Sequence, residues 1–134
     1  MRETKKRKGF TLMELLIVIA IIGILISMGV VSFSSAQKTS RDSKRRADMK
    51  AIQNAWEQYN SDNNGSYPAS CSVSATYLPA GLPTDPKTGW PAYVGTCSAS
   101  SYCYCASLES GVGNSSSSNC AYGSGSWFCV SSLQ

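Results

Sequence analysis

Residues 5–26 read KKRKGFTLMELLIVIAIIGILI, and the rest of the chain is organised around this stretch. Four basic residues meet a glycine, and the long apolar run that follows carries one acid, Glu14. Residues 15–37 then contain no charged side chain. A helix of that length, rising about 1.5 Å per residue, would cross a hydrocarbon core of about 30 Å. We therefore expect a helix long and apolar enough to span a membrane.

Glu14 is the anomaly in this run, and it has two interpretations. A carboxylate near the centre of a bilayer costs roughly 2.5 to 3.5 kcal/mol, so an acid there is a functional candidate whose partner has to be found. Alternatively, Glu14 lies only about 6 Å along the helix axis from Phe10 and reaches the water between lipid headgroups.

The residues around Glu14 resemble a known processing motif. They closely match the N-terminus of type IV pilins and type II secretion pseudopilins, through a basic leader, a Gly-Phe junction and an acid at the fifth position after it. In that family a prepilin peptidase cuts after the glycine and methylates the new amine. The resemblance implies a cut between Gly9 and Phe10, with residues 1–9 as the leader. It also implies that the Phe10 amine pairs with Glu14 of a neighbouring subunit.

The resemblance further implies a function and a location. The chain would be a structural subunit of a type IV pilus-like filament or a type II secretion pseudopilus, assembled with other pilin subunits by an inner-membrane platform. Before assembly it would lie among membrane lipids as a single-pass protein of the cytoplasmic membrane. Afterwards it would belong to an extracellular or periplasmic filament. The cysteines of the C-terminal part place that part outside the cytosol. The sequence leaves pilus and pseudopilus open.

One position departs from the family pattern. The family often has a proline where this chain has Val31, although Gly23 matches a common glycine. Without the proline, the sequence gives less support for local melting of the helix in a filament. Gly23, Ser27 and Gly29 are nevertheless weak helix formers. These small residues would otherwise let neighbouring helices approach closely.

Other export signals compete with this interpretation. The leader and apolar run also fit an ordinary secretory signal with a small-residue cleavage site at residues 34–36, or a plain uncleaved anchor. Either would make the chain a secreted or membrane-anchored disulfide-rich binding module. Against the secretory signal, the run exceeds the usual 7 to 15 apolar residues, and Glu14 would weaken it.

The helix is expected to continue beyond the apolar part. Residues 10–37 form the assembly half and residues 38–62 an amphipathic half. Apolar residues recur there at helical spacing, with two alanines supporting the same face: Met49, Ile52, Trp56, Tyr59, Ala51 and Ala55. No strong breaker occurs between residues 10 and 62, and Gly65 and Pro68 then end the helix.

Basic residues at positions 41–50 have two interpretations. They form a solvated face at the level of the headgroups, or a patch for DNA or an acidic partner subunit, as in a DNA-uptake pilin using Arg41, Lys44, Arg45 and Arg46. The acidic residues Asp42 and Asp48 make the second interpretation weaker, because they reduce the positive charge of this region. The net charge of +4 belongs to residues 1–9 alone, so it does not indicate nucleic-acid binding.

Residues 63–134 have the composition of a small β head. Serine, glycine, tyrosine and proline favour turns and short strands. The best strands are residues 102–108 and 127–130, with residues 91–94 as a partner. The expected class is thus α+β, with a long helix packed on a small antiparallel sheet. Trp90 and Trp127 are expected in the core or at its rim, and residues 114–119 form an exposed low-complexity loop.

Six cysteines follow the apolar run, and we expect them to form disulfides that staple the head. They are Cys71, Cys97, Cys103, Cys105, Cys120 and Cys129. An even count downstream of an export element indicates an oxidising compartment. A zinc site is the weaker alternative, since histidine and CxxC pairs are missing. Proximity suggests Cys71 with Cys97 and Cys120 with Cys129. Cys103 and Cys105 should share a strand face and bond to different neighbours.

No catalytic, cofactor or metal site is predicted. The chain lacks histidine and a glycine-rich phosphate loop, and its serines lack a base, so it is not expected to be an enzyme. The loop at residues 82–89 resembles one that binds calcium in some pseudopilins. Only Asp85 and Glu109 follow Asp62 as acids, too few for a calcium cage, so Asp85 is expected to cap a turn.

Overall fold

The computed structural model describes residues 9–115, 120, 122–123 and 125–134. It contains helix α1, Leu12–Asp62, and strands β1, Val94–Cys97, β2, Tyr102–Ser107, and β3, Trp127–Ser131. The α+β class expected from the sequence is confirmed. Residues 1–8 of the predicted leader and residues 116–119 of the predicted loop lie outside the described residues.

The chain divides into two units at Ala36. We call residues 9–36, the described part of the first unit, the apolar segment. The second unit, Gln37–Gln134, contains the C-terminal half of α1 and all three strands, and we call it the head unit. Helix α1 begins and ends within two residues of the limits predicted from the sequence.

The helix ends where its sequence supplies left-handed conformations. Asn64 and Gly65 have positive φ angles of 55° and 80°. The amide of Gly65 donates to the carbonyl of Asn60 over 2.9 Å, and the amide of Asn63 donates to that of Tyr59 over 3.0 Å. These bonds occupy carbonyls that the last helical turn would otherwise leave without partners.

The sheet is antiparallel, in the order β1-β2-β3. Strands β2 and β3 match the predicted segments to within one residue. The predicted position of the first strand, residues 91–94, is wrong, because β1 spans Val94–Cys97 and shares only Val94 with it. Pro91 has no amide hydrogen to donate to a ladder. Gly95 lies opposite Tyr104, whose ring lies over it.

The core of the head unit forms between one face of α1 and the sheet. Met49, Ile52 and Trp56 are fully buried, and the Trp56 ring meets the Tyr104 ring edge-on at 5.4 Å. Ala55 belongs to the same buried face. Two predicted members differ: Ala51 is exposed, and Tyr59 is half-buried against Tyr77, with ring centroids 5.3 Å apart.

All six cysteines form disulfides. The Cys71–Cys97 pairing is confirmed, but the Cys120–Cys129 pairing is wrong. The structure instead joins Cys103 to Cys120 and Cys105 to Cys129. Cys105 and Cys129 are direct cross-strand partners with Cα atoms 4.1 Å apart, a relation that sequence proximity cannot show. In the chain-entropy account, loops of this length contribute about 3 kcal/mol each.

Candidate functional site

The apolar segment is exposed on all sides. Every residue from 9 to 36 is exposed, from 47% at Val18 to 89% at Leu12 among its large hydrophobic side chains. A helix that is apolar on all sides is stable when lipid or other protein covers it. In the described part of the chain, α1 is the helix long and apolar enough to cross a membrane, and the window that meets this criterion is 0% buried.

The start of α1 is closed by a capping box. The amide and hydroxyl of Thr11 each donate to Oε2 of Glu14 over 2.9 Å, and the amide of Glu14 donates to Oγ1 of Thr11 over 3.2 Å. The Thr-x-x-Glu spacing is a known signature of this arrangement, so the sequence contained a signal for it that our reasoning missed. Within one chain, Glu14 therefore has a local partner.

The two predicted assembly residues lie at the exposed end of this helix. Phe10 is 87% exposed and precedes the cap residue Thr11. The pairing of its amine with Glu14 of another subunit stays a prediction. The same holds for processing at Gly9, whose backbone is exposed.

The helix is continuous through the residues that were expected to weaken it. Gly23 and Gly29 lie inside α1, and a Cβ built on either would meet nothing within 4 Å. The Ser27 hydroxyl donates to the carbonyl of Ile24 over 2.7 Å, which satisfies that side chain locally. These positions leave room for another helix to approach closely.

The head unit contains a buried ionic cluster, formed by Asp42, Arg45, Asp85 and Glu109. The Arg45 side chain is 0% exposed. Its Nε and Nη2 donate to the two carboxylate oxygens of Asp85 over 2.7 and 2.8 Å. Its Nη1 donates to Asp42 over 2.7 Å and to Glu109 over 2.9 Å. One guanidinium thus connects α1 to two loops of the head unit.

Glu109 accepts hydrogen bonds from three basic side chains, including Arg45. It accepts two hydrogen bonds from Arg41, at 2.6 and 2.8 Å, and one from Lys87 at 3.0 Å. The hydrogen bonds from Arg41 hold the pKa of Glu109 far below its usual value, and those from Lys87 and Arg45 act in the same direction. Glu109 is therefore ionised at neutral pH.

The remaining charges of the cluster are fixed in the same way. Hydrogen bonding to Asp85 raises the pKa of Arg45. Burial by itself would raise the pKa of Asp42, but hydrogen bonds from the Ser110 hydroxyl and the backbone amides of Glu109 and Ser110 lower it below its usual value. The buried charges are thus paired and hydrogen-bonded, as burial requires.

This arrangement corrects the interpretation of the basic residues. Arg45 is buried, so it belongs neither to a solvated face nor to a DNA-binding patch. Arg41 is paired with Glu109, and Arg46 donates to the carbonyl of Val112 over 2.5 Å. Lys44 and Lys50 are exposed.

Asp85 caps a turn, as predicted. Its Oδ1 accepts the amide of Lys87 over 2.8 Å. Both of its carboxylate oxygens are also occupied by Arg45, so the donor set does not suit calcium. Nearby, Trp90 lies half-buried at the rim, donates to the carbonyl of Ser107 over 3.0 Å, and has the Lys87 ammonium 4.1 Å from its ring centroid.

Further polar contacts join the C-terminal half of α1 to the rest of the head unit. Glu57 accepts hydrogen bonds from the hydroxyls of Tyr67 and Tyr102, at 3.0 and 2.9 Å. Asp48 accepts one from the hydroxyl of Tyr93 over 2.7 Å. The sequence analysis did not predict these contacts, because the partners lie 10 to 45 residues apart in the chain.

Three cysteine sulfur atoms lie close together in the head unit. The Sγ atoms of Cys103, Cys105 and Cys120 are all within 4.8 Å of one another. Each belongs to a disulfide, so none is a thiolate able to ligate zinc. Cys103 and Cys105 share a face and bond to different partners, which confirms the prediction from their alternation in β2.

Comparison with known proteins gives a consistent result. A family model described as the prokaryotic N-terminal methylation motif matches residues 4–30. The type IV wide pilus major component of Thermus thermophilus is 37% identical over 108 residues, which is 81% of this chain and 79% of that protein. No solved structure matches the chain.

Two further relatives align over shorter stretches. The type II secretion system core protein G of Escherichia coli (strain K12) is 39% identical over 64 residues, 48% of this chain and 44% of that protein. The type IV major pilin protein of Myxococcus xanthus is 36% identical over 63 residues, 47% of this chain and 29% of that protein. The chain thus spans less than half the length of these two relatives.

Proposed function

The chain belongs to the type IV pilin and pseudopilin family, and we propose that it is a structural subunit of a pilus-like or pseudopilus filament. In this proposal, prepilin peptidase removes residues 1–9, the inner-membrane platform extracts the subunit from the lipid, and subunits pack through their N-terminal helices. The exposure of every residue in the apolar segment carries the proposal. Such a surface needs lipid before assembly and other copies of the helix afterwards.

The location follows from the same surface and from the cysteines. The apolar segment holds the subunit in the cytoplasmic membrane, and the three disulfides of the head unit suit an oxidising compartment outside the cytosol. After assembly the subunit belongs to an extracellular or periplasmic filament. The proposal gives the chain a structural role and no catalytic one, in line with relatives named as pilus and secretion-system components.

The alignment to the Thermus pilus component supports the pilus over the pseudopilus. That alignment covers 81% of the chain, whereas the alignment to the Escherichia coli secretion protein covers 48%, so the Thermus alignment includes more of the head unit. A pilus subunit is therefore the form of the proposal that we favour.

Variants of Glu14 and Thr11 test the proposed assembly contact. Glu14→Gln keeps an acceptor for the Thr11 amide, since glutamine also forms capping boxes, but removes the charge. Thr11→Ala keeps the charge and removes the hydroxyl, at a cost of about 1 kcal/mol. If Glu14 pairs with the Phe10 amine of a neighbour, Glu14→Gln and Glu14→Ala abolish filaments, whereas Thr11→Ala still forms them.

The measurement is the yield of sheared filaments, by electron microscopy and immunoblotting, beside membrane fractionation. All three variants should insert into the membrane like the unaltered chain. Filaments of normal yield from Glu14→Gln would mean that Glu14 acts as a local hydrogen-bond acceptor and not as a charge partner.

The alternative is a secreted or anchored binding module, including a DNA-uptake pilin. It would retain the disulfide-stapled head unit but need no assembly through the apolar segment. Recovery of soluble protein that starts near residue 37 would favour it. For DNA uptake, Lys38, Lys44 and Lys50 remain as exposed basic residues of α1 after the burial of Arg45.

A further inference from the structure

Two disulfides of the head unit are in contact with each other. The Sγ atom of Cys105, which is bonded to Cys129, lies 3.8 Å from Sγ of Cys103 and 3.8 Å from Sγ of Cys120. Cys103 and Cys120 are bonded to each other. One sulfur atom of the first disulfide therefore touches both sulfur atoms of the second.

The two disulfides differ in their access to solvent. Cys105 and Cys129 are 1% and 2% exposed, and Cys120 is 4% exposed, whereas Cys103 is half-buried. A cavity of about 420 Å³ borders Cys103 and Cys120, and Cys97 of the third disulfide also contributes to its lining. This volume lies in the range of small-molecule sites, about 300 to 1,000 Å³. A dissolved thiol that enters the cavity would thus reach Cys103 before the other three cysteines of these two disulfides.

The described side chains that line the cavity carry no charge. Besides the cysteines, its described lining side chains carry hydroxyl or amide groups: Thr96, Ser98, Ser101, Tyr102, Ser131, Ser132 and Gln134. Such side chains form hydrogen bonds with a water-soluble molecule. A small hydrophilic thiol suits both the size and the chemistry of the cavity.

We propose that the Cys103–Cys120 disulfide is a thiol-exchange site for a low-molecular-weight thiol, and that the exchange passes on to the buried Cys105–Cys129 disulfide. In the first step the thiolate attacks Sγ of Cys103. A mixed disulfide forms, the Cys103–Cys120 bond breaks, and its electron pair leaves on Sγ of Cys120. Exchange reactions of this kind depend on which sulfur the thiolate can reach.

In the second step the Cys120 thiolate attacks Sγ of Cys105, which lies 3.8 Å away. A Cys105–Cys120 bond forms, the Cys105–Cys129 bond breaks, and Cys129 leaves as a thiolate that takes a proton from water. Each step replaces one disulfide by another, so no oxidant is needed. The result is a chain with the small thiol on Cys103 and a reduced Cys129.

The third disulfide provides a matched control. In the register of β1 and β2, Thr96 pairs with Cys103 and Val94 with Cys105, whereas Cys97 pairs with Tyr102. Side chains alternate along a strand, so Cys97 lies on the opposite sheet face from Cys103 and Cys105. The Cys71–Cys97 bond is thus separated by the sheet from the two that are in contact.

Single serine variants of the mature chain in detergent test the second step. In Cys103→Ser, the Cys120 thiol should displace Cys129, so that alkylation under non-reducing conditions labels mainly Cys129 and peptide mapping finds Cys105 linked to Cys120. In the control Cys71→Ser, the label should stay wholly on Cys97. A Cys103→Ser chain that carries its label on Cys120 and keeps Cys105 bonded to Cys129 would overturn the relay.

The unaltered chain tests both steps without a substitution. It is incubated anaerobically with reduced glutathione, quenched with acid, alkylated and mapped by mass spectrometry. The expected product carries glutathione on Cys103, an alkyl group on Cys129 and a Cys105–Cys120 link. Glutathione on Cys103 with the alkyl group on Cys120 would overturn the second step, and a product without glutathione on Cys103 would overturn the first.

Discussion

In the apolar segment every residue is exposed, whereas the head unit buries an aromatic core, an ionic cluster and the Cys105–Cys129 disulfide. The two regions share one helix, α1. The difference shows that the same secondary structure serves two purposes along its length. In the head unit the side chains of α1 find their partners within the chain, and in the apolar segment they remain available to lipid or to other subunits.

The largest effect is expected from Arg45→Ala in the head unit. This change leaves three carboxylates without their shared counter-ion, and breaking a buried pair from one side costs about 3 to 5 kcal/mol. Urea unfolding of the mature chain in detergent, followed by tryptophan fluorescence, measures the free energy of unfolding. Lys44→Ala, at an exposed position one residue earlier, should change it by less than about 0.5 kcal/mol. Equal effects of the two variants would contradict the cluster's role.

A pair of isoleucine variants compares the two regions directly. Ile52 is 0% exposed in the head unit and Ile22 is 48% exposed in the apolar segment. Ile52→Ala should lower the free energy of unfolding of the head unit by about 2 to 5 kcal/mol. Ile22→Ala should leave it within about 0.5 kcal/mol and instead reduce filament yield. A reversal, with unfolding affected by Ile22→Ala, would mean that the apolar segment is packed within its own chain.

A pair of glycine variants makes the same comparison through sterics. A Cβ on Gly95 would lie 2.4 Å from the Tyr104 ring, and one on Gly23 would meet nothing within 4 Å. Gly95→Ala should therefore destabilise the head unit by about 1 to 3 kcal/mol. Gly23→Ala should leave head-unit stability unchanged and tighten the apolar helix, measured as helical content by circular dichroism. A Gly95→Ala chain of normal stability would contradict the packing of Tyr104 over β1.

Low pH should destabilise the folded head unit by protonating the acids of its ionic cluster. Changes of pH near neutrality should not alter its stability. The folded-state pKa of Glu109 lies below the usual value of 4.5, and that of Asp42 lies below 3.8. Both groups therefore stabilise the fold fully above these values, and the stabilisation is lost as the pH falls below about 4.5. Urea midpoints measured from pH 7 to pH 2 test this. In Glu109→Gln the urea midpoint should fall less below pH 4.5 than in the unaltered chain. An equal fall in both would show that Glu109 does not cause the loss of stability in acid.

Much of the fold could be predicted because its signals are local. The apolar run, the stripe of Met49, Ile52 and Trp56 and the stop at Gly65 define α1, and the alternation around Cys103 and Cys105 defines β2. β1 was misplaced because a strand of four residues carries little pattern of its own. The capping box of Thr11 and Glu14 is indicated by the Thr-x-x-Glu spacing. It was not predicted, because Glu14 was interpreted either as a solvated group or as a partner for another subunit.

The ionic cluster could not be predicted from local patterns. Arg45 meets Asp85 and Glu109 across 40 and 64 residues of chain, and a basic residue on a helix looks the same whether it is solvated or buried. One signal was available: the only two acids after Asp62 both bind Arg45. Likewise, sequence distance suggested Cys120 with Cys129, whereas strand register places Cys105 opposite Cys129.

The most direct test of the central claim is the intact mass of the protein in sheared filaments, with fragmentation of its N-terminal peptide. The account predicts a chain that lacks its first nine residues and begins with a methylated Phe10, with the apolar segment retained. Filaments built from chains that still carry residues 1–9, or protein found only as a soluble product that begins near residue 37, would contradict it.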